Sequence, residues 1–294
     1  MKVLVTGAKG QLGQDATNVL TEVGYQVIGC GREELDITNM EQCGQVISAY
    51  NPDIIIHCAA FTAVDAAESD MDGAYLVNAI GTRNVAVSAE KLGTTVVYIS
   101  TDYVFNGNSE TTYVEYDDTD PQTIYGRSKL AGEQMIRNFC SKWFIVRTSW
   151  VFGLHGNNFV KTMLRLGQEK PQLKVVNDQK GSPTYTVDLA KFLLNLISTE
   201  KYGLYHASNS GSCTWYEFTQ AIFEEARDQL GLEITAELQP CTTAEFPRPA
   251  PRPANSVMDH LSIRLNQLQD LPHWREGLKQ FMLDMKLHPE LYLK

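Results

Sequence analysis

The amino-acid sequence predicts an α/β protein, a doubly wound parallel sheet followed by a smaller, less regular C-terminal α/β lobe. Three observations carry this. Short, nearly continuous apolar runs rich in Val and Ile alternate with amphipathic stretches through the first half of the chain, as strands covered on both faces do. A glycine-punctuated loop follows the first of those runs directly, and beyond about Gly153 the rhythm gives way to shorter elements and a proline-rich piece.

Taken in order, Lys2–Thr6 reads as the first strand and Gln11–Val23 as the helix after it. Gln26–Gly29, Asp53–Cys58, Thr95–Ile99 and Phe144–Arg147 read as further strands, with a helical pattern over Ala74–Leu92 between two of them. In the second half Val175–Val176 and Leu204–His206 read as strands, and Val187–Ile197 and Trp215–Leu230 as helices. Pro247–Pro253 reads as a stiff, extended connector before a last helical region. Residues 1–152 therefore form one domain, to which part of 184–206 returns, and 153–294 form most of a second lobe.

The chain has 294 residues, enough to bury a substantial core. A formal net charge of -10 repels a phosphate backbone, and no basic stripe offsets it, so nucleic acid is not an expected partner. Cys30, Cys43, Cys58, Cys140, Cys213 and Cys241 are scattered, without disulfide-framework or zinc-ligand spacing, which fits a reducing cytoplasm. No apolar run approaches the roughly 20 residues that cross a bilayer. The N-terminus runs straight into the glycine loop, so neither a membrane span nor a signal peptide is expected.

That loop is Gly7-Ala8-Lys9-Gly10-Gln11-Leu12-Gly13. Glycines so spaced between a strand and a helix allow a tight turn, a close backbone approach to a pyrophosphate, and close helix packing. The helix N-terminus then offers N–H groups to the phosphate charge. Residues 1–152 are thus a Rossmann-type, dinucleotide-binding domain, and the expected cofactor is NADPH or NADH. After the second strand, where an acid would hold a ribose 2′-hydroxyl, stand Cys30-Gly31-Arg32. Arg32 can pair with a 2′-phosphate and favours NADPH.

Tyr125-Gly126-Arg127-Ser128-Lys129 opens a helical stretch and sets a phenol and an ammonium one turn apart on the same face. The ammonium is expected to stabilise phenolate and lower the tyrosine pKa, which makes Tyr125 a general acid or base. At the end of the fourth strand, Ser100 and Thr101 each carry a hydroxyl that could bond a substrate carbonyl. Strand alternation points them in opposite directions, so only one can line the site.

Together these residues resemble the dTDP-4-dehydrorhamnose reductases of the extended short-chain dehydrogenase type, and the resemblance covers essentially the whole chain. It is carried by Gly7–Gly13, Cys58–Asp65, Val77-Asn78, Ser100-Thr101-Asp102-Tyr103-Val104-Phe105, Tyr125–Lys129, Arg147–Gly153 and Arg252–Ser256. It implies reduction of dTDP-4-dehydro-L-rhamnose to dTDP-L-rhamnose for surface polysaccharide, with Thr101, Tyr125 and Lys129 as catalytic triad. Tyr103 and Trp150 would line the sugar site. Gln11, Leu12, Ala59, Ala60 and Thr62 would join the glycines at the cofactor, and Asp36-Ile37 would meet its adenine. Some members bind Mg²⁺ through glutamates at a dimer contact. Asp15 stands at the first such position, no metal ligand set is assigned, and monomer and homodimer both stay open. Asn158, within Asn158–Lys161, and Arg252 are candidates for the nucleotide end of the substrate. Two alternatives are a reductase or epimerase of another nucleotide-linked ketosugar, and a non-catalytic regulatory subunit similar to that of methionine adenosyltransferase.

Other conspicuous residues have plainer readings. His57 and His206 lie in strands and are expected to be packed, Asp117–Asp120 to be a solvated loop, and Trp215, Phe218 and Ile222 to be core at helical spacing.

Overall fold

Alternation of side chains across a two-sided sheet builds the architecture. Val3 and Val5 join one apolar cluster while Leu4 joins another, and Ile54 and Ile56 part from Ile55 in the same way, as do Phe144 and Val146 from Ile145. The structure, a computed structural model, describes residues 1–291. Its first half runs β1 (Lys2–Thr6), α1 (Gln11–Glu22), β2 (Gln26–Cys30), α2 (Met40–Tyr50), β3 (Ile54–His57), α3 (Val64–Ala67), α4 (Met71–Tyr75), a π-helical turn (Leu76–Gly81), α5 (Thr82–Glu90), β4 (Thr95–Thr101), α6 (Ile124–Phe139) and β5 (Trp143–Thr148). The second half runs β6 (Val151–Phe152), α7 (Phe159–Glu169), β7 (Gln172–Val176), β8 (Lys180–Gly181), β9 (Thr184–Tyr185), α8 (Thr186–Ile197), β10 (Gly203–His206), β11 (Cys213–Thr214), α9 (Trp215–Leu230), β12 (Glu237–Cys241), α10 (Leu261–Leu265) and α11 (Trp274–Leu287).

The main sheet has six strands in the order β2-β1-β3-β4-β5-β10, all parallel. Direction of winding reverses between β1 and β3, the point where ligands collect in such sheets. One face is covered by α1 and α8, through Leu12, Ala16, Leu20, Leu189 and Leu193. The other is covered by α2, α5 and α6, through Cys43, Ile47, Val85, Ala89 and Ile136. A separate core packs α7, α9 and α11 around Phe152, Leu164, Phe218, Ile222 and Phe281. Among the described residues no helix is long and apolar enough to cross a membrane.

Two elements differ from expectation. The helix expected over Ala74–Leu92 is interrupted by the π-helical turn, which seats Asn78 inward. β12, unanticipated, pairs in parallel with β7 in a separate two-stranded sheet. It contains Pro240, and an edge position spares the residue's missing N–H. The proline-rich segment and the residues just after it lie against the first half of the chain. The amide of Ala250 donates to Asp65 Oδ1 at 3.2 Å, and that of Asn255 to the Gly107 carbonyl at 2.9 Å.

Candidate active site

A cleft of about 720 Å³ opens over the carboxyl ends of β1, β3 and β4, and its floor is the glycine loop. Gly7 has φ +64°, and a Cβ on it would lie 2.7 Å from the Ala59 amide nitrogen, so only glycine lets the first turn pass this close to the end of β3. A Cβ on Gly13 would overlap the Gly7 carbonyl. No side chain caps the N-terminus of α1, and its first turn holds no acid, which leaves that end electropositive.

Gly7, Gly10, Gln11, Leu12, Gly13, Arg32, Asp36, Ile37, Ala59, Ala60 and Thr62 all line this cleft, and so do Thr101, Tyr103, Tyr125, Lys129 and Trp150. Arg32 is exposed at the rim. The nearby acid Glu34 is turned away, accepting from the Gly31 amide at 2.8 Å and from Lys9 at 3.0 Å. Asp36 accepts from both the amide and the hydroxyl of Thr38, which lowers its pKa.

Thr123 caps α6 by accepting from the Gly126 amide at 2.9 Å, so the first turn of the helix delivers Tyr125 and Lys129 to the cleft. Lys129 Nζ donates to the Ile99 carbonyl at 2.7 Å and lies 4.1 Å from the centre of the Tyr98 ring. The Tyr125 ring meets Tyr103 edge-on at 5.5 Å. Both hydroxyls line the cleft, against the expectation that only one could, and they differ in their partners. Ser100 Oγ donates to Glu133 Oε1 at 2.6 Å, beneath the site, whereas the Thr101 hydroxyl bonds Asp102 Oδ1 at 2.9 Å and interacts with Tyr125.

The expected lowering of the tyrosine pKa is corrected here. Burial pushes the Tyr125 phenol up to about 12, only partly opposed by Thr101, and the same burial brings Lys129 down to about 7 against the pull of Glu133. Desolvation dominates both groups, and each is turned to a neutral partner, Thr101 for the phenol and the Ile99 carbonyl for the ammonium. Tyr125 is protonated at neutral pH.

Several contributors were given no role by the sequence. Asp102 is buried, with Oδ2 lacking a hydrogen-bond partner and a pKa raised by burial to about 6. Glu133 receives both Arg147 Nε and Nη2 at 2.8 Å, with both side chains almost fully buried. Asn78 bonds both the amide and the carbonyl of Phe61, and donates to Ser128 Oγ at 2.9 Å. The π-helical turn therefore ties the Ala59–Thr62 loop to α6 at the cleft, a common place for such a turn.

Two of the sequence-derived site residues lie outside the cleft lining. Asn158 caps α7 and donates to Gln11 Oε1 at 3.0 Å and the Gly153 carbonyl at 2.8 Å, which commits its amide to joining the lobes. Arg252 pairs with Asp65 at 2.9 Å and donates to the Ala250 carbonyl at 2.9 Å. Asp15 is buried against Thr186 and lies 3.5 Å from His155 Nε2, with its pKa raised by desolvation. Among the described residues no cluster of three or more His, Cys, Asp or Glu is placed to hold a metal.

His57 is packed between Thr6 and Thr82, and His206 meets the Asp259 carbonyl and Arg147. Phe218 and Ile222 are core. Trp215 lies at the edge of that core, half-buried and packed against it, and it also stacks on Trp150, ring centres 3.5 Å apart and 7° from parallel.

Residues 1–287 match the family model described as the RmlD substrate binding domain. The chain is 47% identical over 281 residues to the spore coat polysaccharide biosynthesis protein SpsK of Bacillus subtilis, covering 96% of each. It is 41% identical over 285 residues to a dTDP-4-dehydrorhamnose reductase of Aggregatibacter actinomycetemcomitans, covering 95% of this chain and 97% of that one. A crystal structure of dTDP-4-dehydrorhamnose reductase from Bacillus anthracis, in complex with NADP, superposes with a TM-score of 0.92 at 47% identity, over 96% of this chain and 99% of that one.

Proposed function

The chain belongs to the RmlD substrate binding domain family, that of the dTDP-4-dehydrorhamnose reductases, and from that premise we propose that it reduces dTDP-4-dehydro-L-rhamnose to dTDP-L-rhamnose with NADPH or NADH. The observation that carries the reading is the meeting of Thr101, Tyr125 and Lys129 with the glycine loop in one cleft.

The residues present fit the cofactor. The uncapped, acid-free end of α1 suits a pyrophosphate, and Gly7 and Gly10 offer it backbone rather than side chain. Arg32, with Glu34 held away by Gly31 and Lys9, suits the 2′-phosphate of NADPH. When bound, NAD(P)H supplies the hydride that makes a ketone into an alcohol.

The protein supplies a proton and a position. Tyr125, protonated at neutral pH, gives its proton to the ketone oxygen at C4 as negative charge develops there. Thr101, beside it and fixed by Asp102, holds that oxygen. Lys129 in its charged form steadies the phenolate that Tyr125 becomes. Tyr103 and Trp150 wall the sugar. Arg252 reaches the diphosphate only by leaving Asp65.

Purified protein is expected to oxidise NADPH in the presence of dTDP-4-dehydro-L-rhamnose. Turnover of a different nucleotide-linked ketosugar, with this one inert, would overturn the substrate assignment.

A pH dependence follows from Lys129. With a pKa brought down to about 7 in the free enzyme, its ammonium is present on the acid side and lost as pH rises. Log kcat/KM for the ketosugar is expected to fall above about pH 7, since that ratio reports the free enzyme. In Lys129→Arg, whose guanidinium stays charged, the remaining activity should show no such alkaline fall. A flat profile in the parent protein would remove Lys129 from this role.

A further inference from the structure

Trp150 has φ +47°, a left-handed conformation that a bulky residue holds only where its surroundings fix it. Three contacts do so. Its carbonyl accepts from the Thr184 amide at 3.2 Å. Its indole lies against Gly181 so closely that a Cβ there would overlap it. Trp215 stacks on it at 3.5 Å.

The last two contacts come from a single ribbon. β8 and β11 pair antiparallel with Cys213 opposite Gly181, and Trp215 follows β11 directly. Thr214 then closes a capping box with Glu217, which fixes Trp215 as the first residue of α9. Behind it stands Phe159, with ring centres 4.5 Å apart. Trp150 lines the cleft and Trp215 does not.

We propose that Trp215 is a positioning residue for the reduction: it holds the Trp150 indole as a wall of the sugar site and acts on substrate only through that ring. The proposal rests on the reading that Trp150 walls the sugar. A stacked aromatic pair fixes a ring's plane as well as its place, so loss of Trp215 leaves the Trp150 indole held only on its Gly181 side and free to tilt, while the Thr184 bond still holds its backbone. What is lost is a preformed surface for binding, and KM should register it rather than kcat.

The test is a double-mutant cycle on the full chain. Trp215→Ala is expected to raise KM for the nucleotide sugar roughly tenfold, with kcat within about twofold and NADPH affinity unchanged. Trp150→Ala is expected to raise the same KM at least as much, and the double variant no further than Trp150→Ala alone. Trp215→Phe keeps a ring in place and should restore most of the affinity while abolishing the exciton couplet of stacked indoles in circular dichroism. If Trp215→Ala does not fold, as judged by circular dichroism and NADPH binding, Trp215→Leu takes its place in the cycle. Additive effects in the double variant, or no change in KM on losing Trp215, overturn the proposal and leave the sugar site standing. An unchanged KM in Trp150→Ala overturns the placement of the sugar, and the proposal with it.

Discussion

Replacing Tyr125 with Phe is expected to lower kcat for ketosugar reduction by about 10²–10⁴-fold while leaving NADPH affinity within about twofold. The substitution removes one hydroxyl from a site whose other parts do not depend on it. The ring keeps its edge-on contact with Tyr103, and Lys129 keeps its bond to the Ile99 carbonyl. Single-turnover rates and a cofactor titration on the same preparation check both halves of this expectation. Turnover within tenfold of the parent would mean that the proton comes from elsewhere. A protein that only bound a partner would have no turnover to lose.

A second large effect is expected beneath the site. Glu133→Ala should lower stability by about 3–5 kcal/mol, read as a lower denaturant midpoint, because it strands the Arg147 guanidinium in the interior. Arg147 and Glu133 are 2% and 1% exposed, and the bidentate pair is completed by Ser100. Among the described residues no other carboxylate lies within ion-pairing distance of the arginine, and a histidine carries no negative charge to offer it. His206, 3.5 Å from Nη1, is held neutral by burial and by Arg147 itself. Replacing both partners by apolar residues, as in Glu133→Met with Arg147→Leu, should recover most of the loss. Full stability in Glu133→Ala alone would show that the charge finds water, and the buried pair would then have little structural weight. Glu133 also raises the Lys129 pKa, so the gentler Glu133→Gln should move the alkaline fall in activity to lower pH.

The sheet and the cleft were legible because both are written in short-range patterns. Continuous apolar strands, a glycine triplet at a strand-to-helix junction, and Tyr125 four residues before Lys129 each need only a few neighbouring residues to be recognised. What escaped depends on partners far along the chain. Ser100 and Thr101 are equivalent in sequence, and Glu133, 33 residues on, is what separates them. The direction of the Tyr125 shift turned on burial, which spacing does not report. Trp215 fits a helical core stripe with Phe218 and Ile222, and only the ribbon from β8 to β11 reveals that it also faces Trp150. Asn78 was visible within a matched motif, but its work, tying a loop to α6 through a π-helical turn, requires the bonds themselves. Arg252 and Asn158 carried suitable chemistry, and the fold engages both with other protein groups.

The place of β10 at the end of the sheet bears on how the molecule comes to be made. On a ribosome, β5 emerges more than fifty residues ahead of the strand that must cover its edge. Until then Phe144, Ile145 and Val146 lie on an open border with free amides, the kind of surface that recruits other chains. The helix α8, which seals one face of that sheet, arrives late as well. Synthesis thus keeps this edge of the nascent sheet exposed until the segment carrying α7, β7 and α8 has been extruded and looped out, while α9 and α11, which complete the second core, emerge only afterwards.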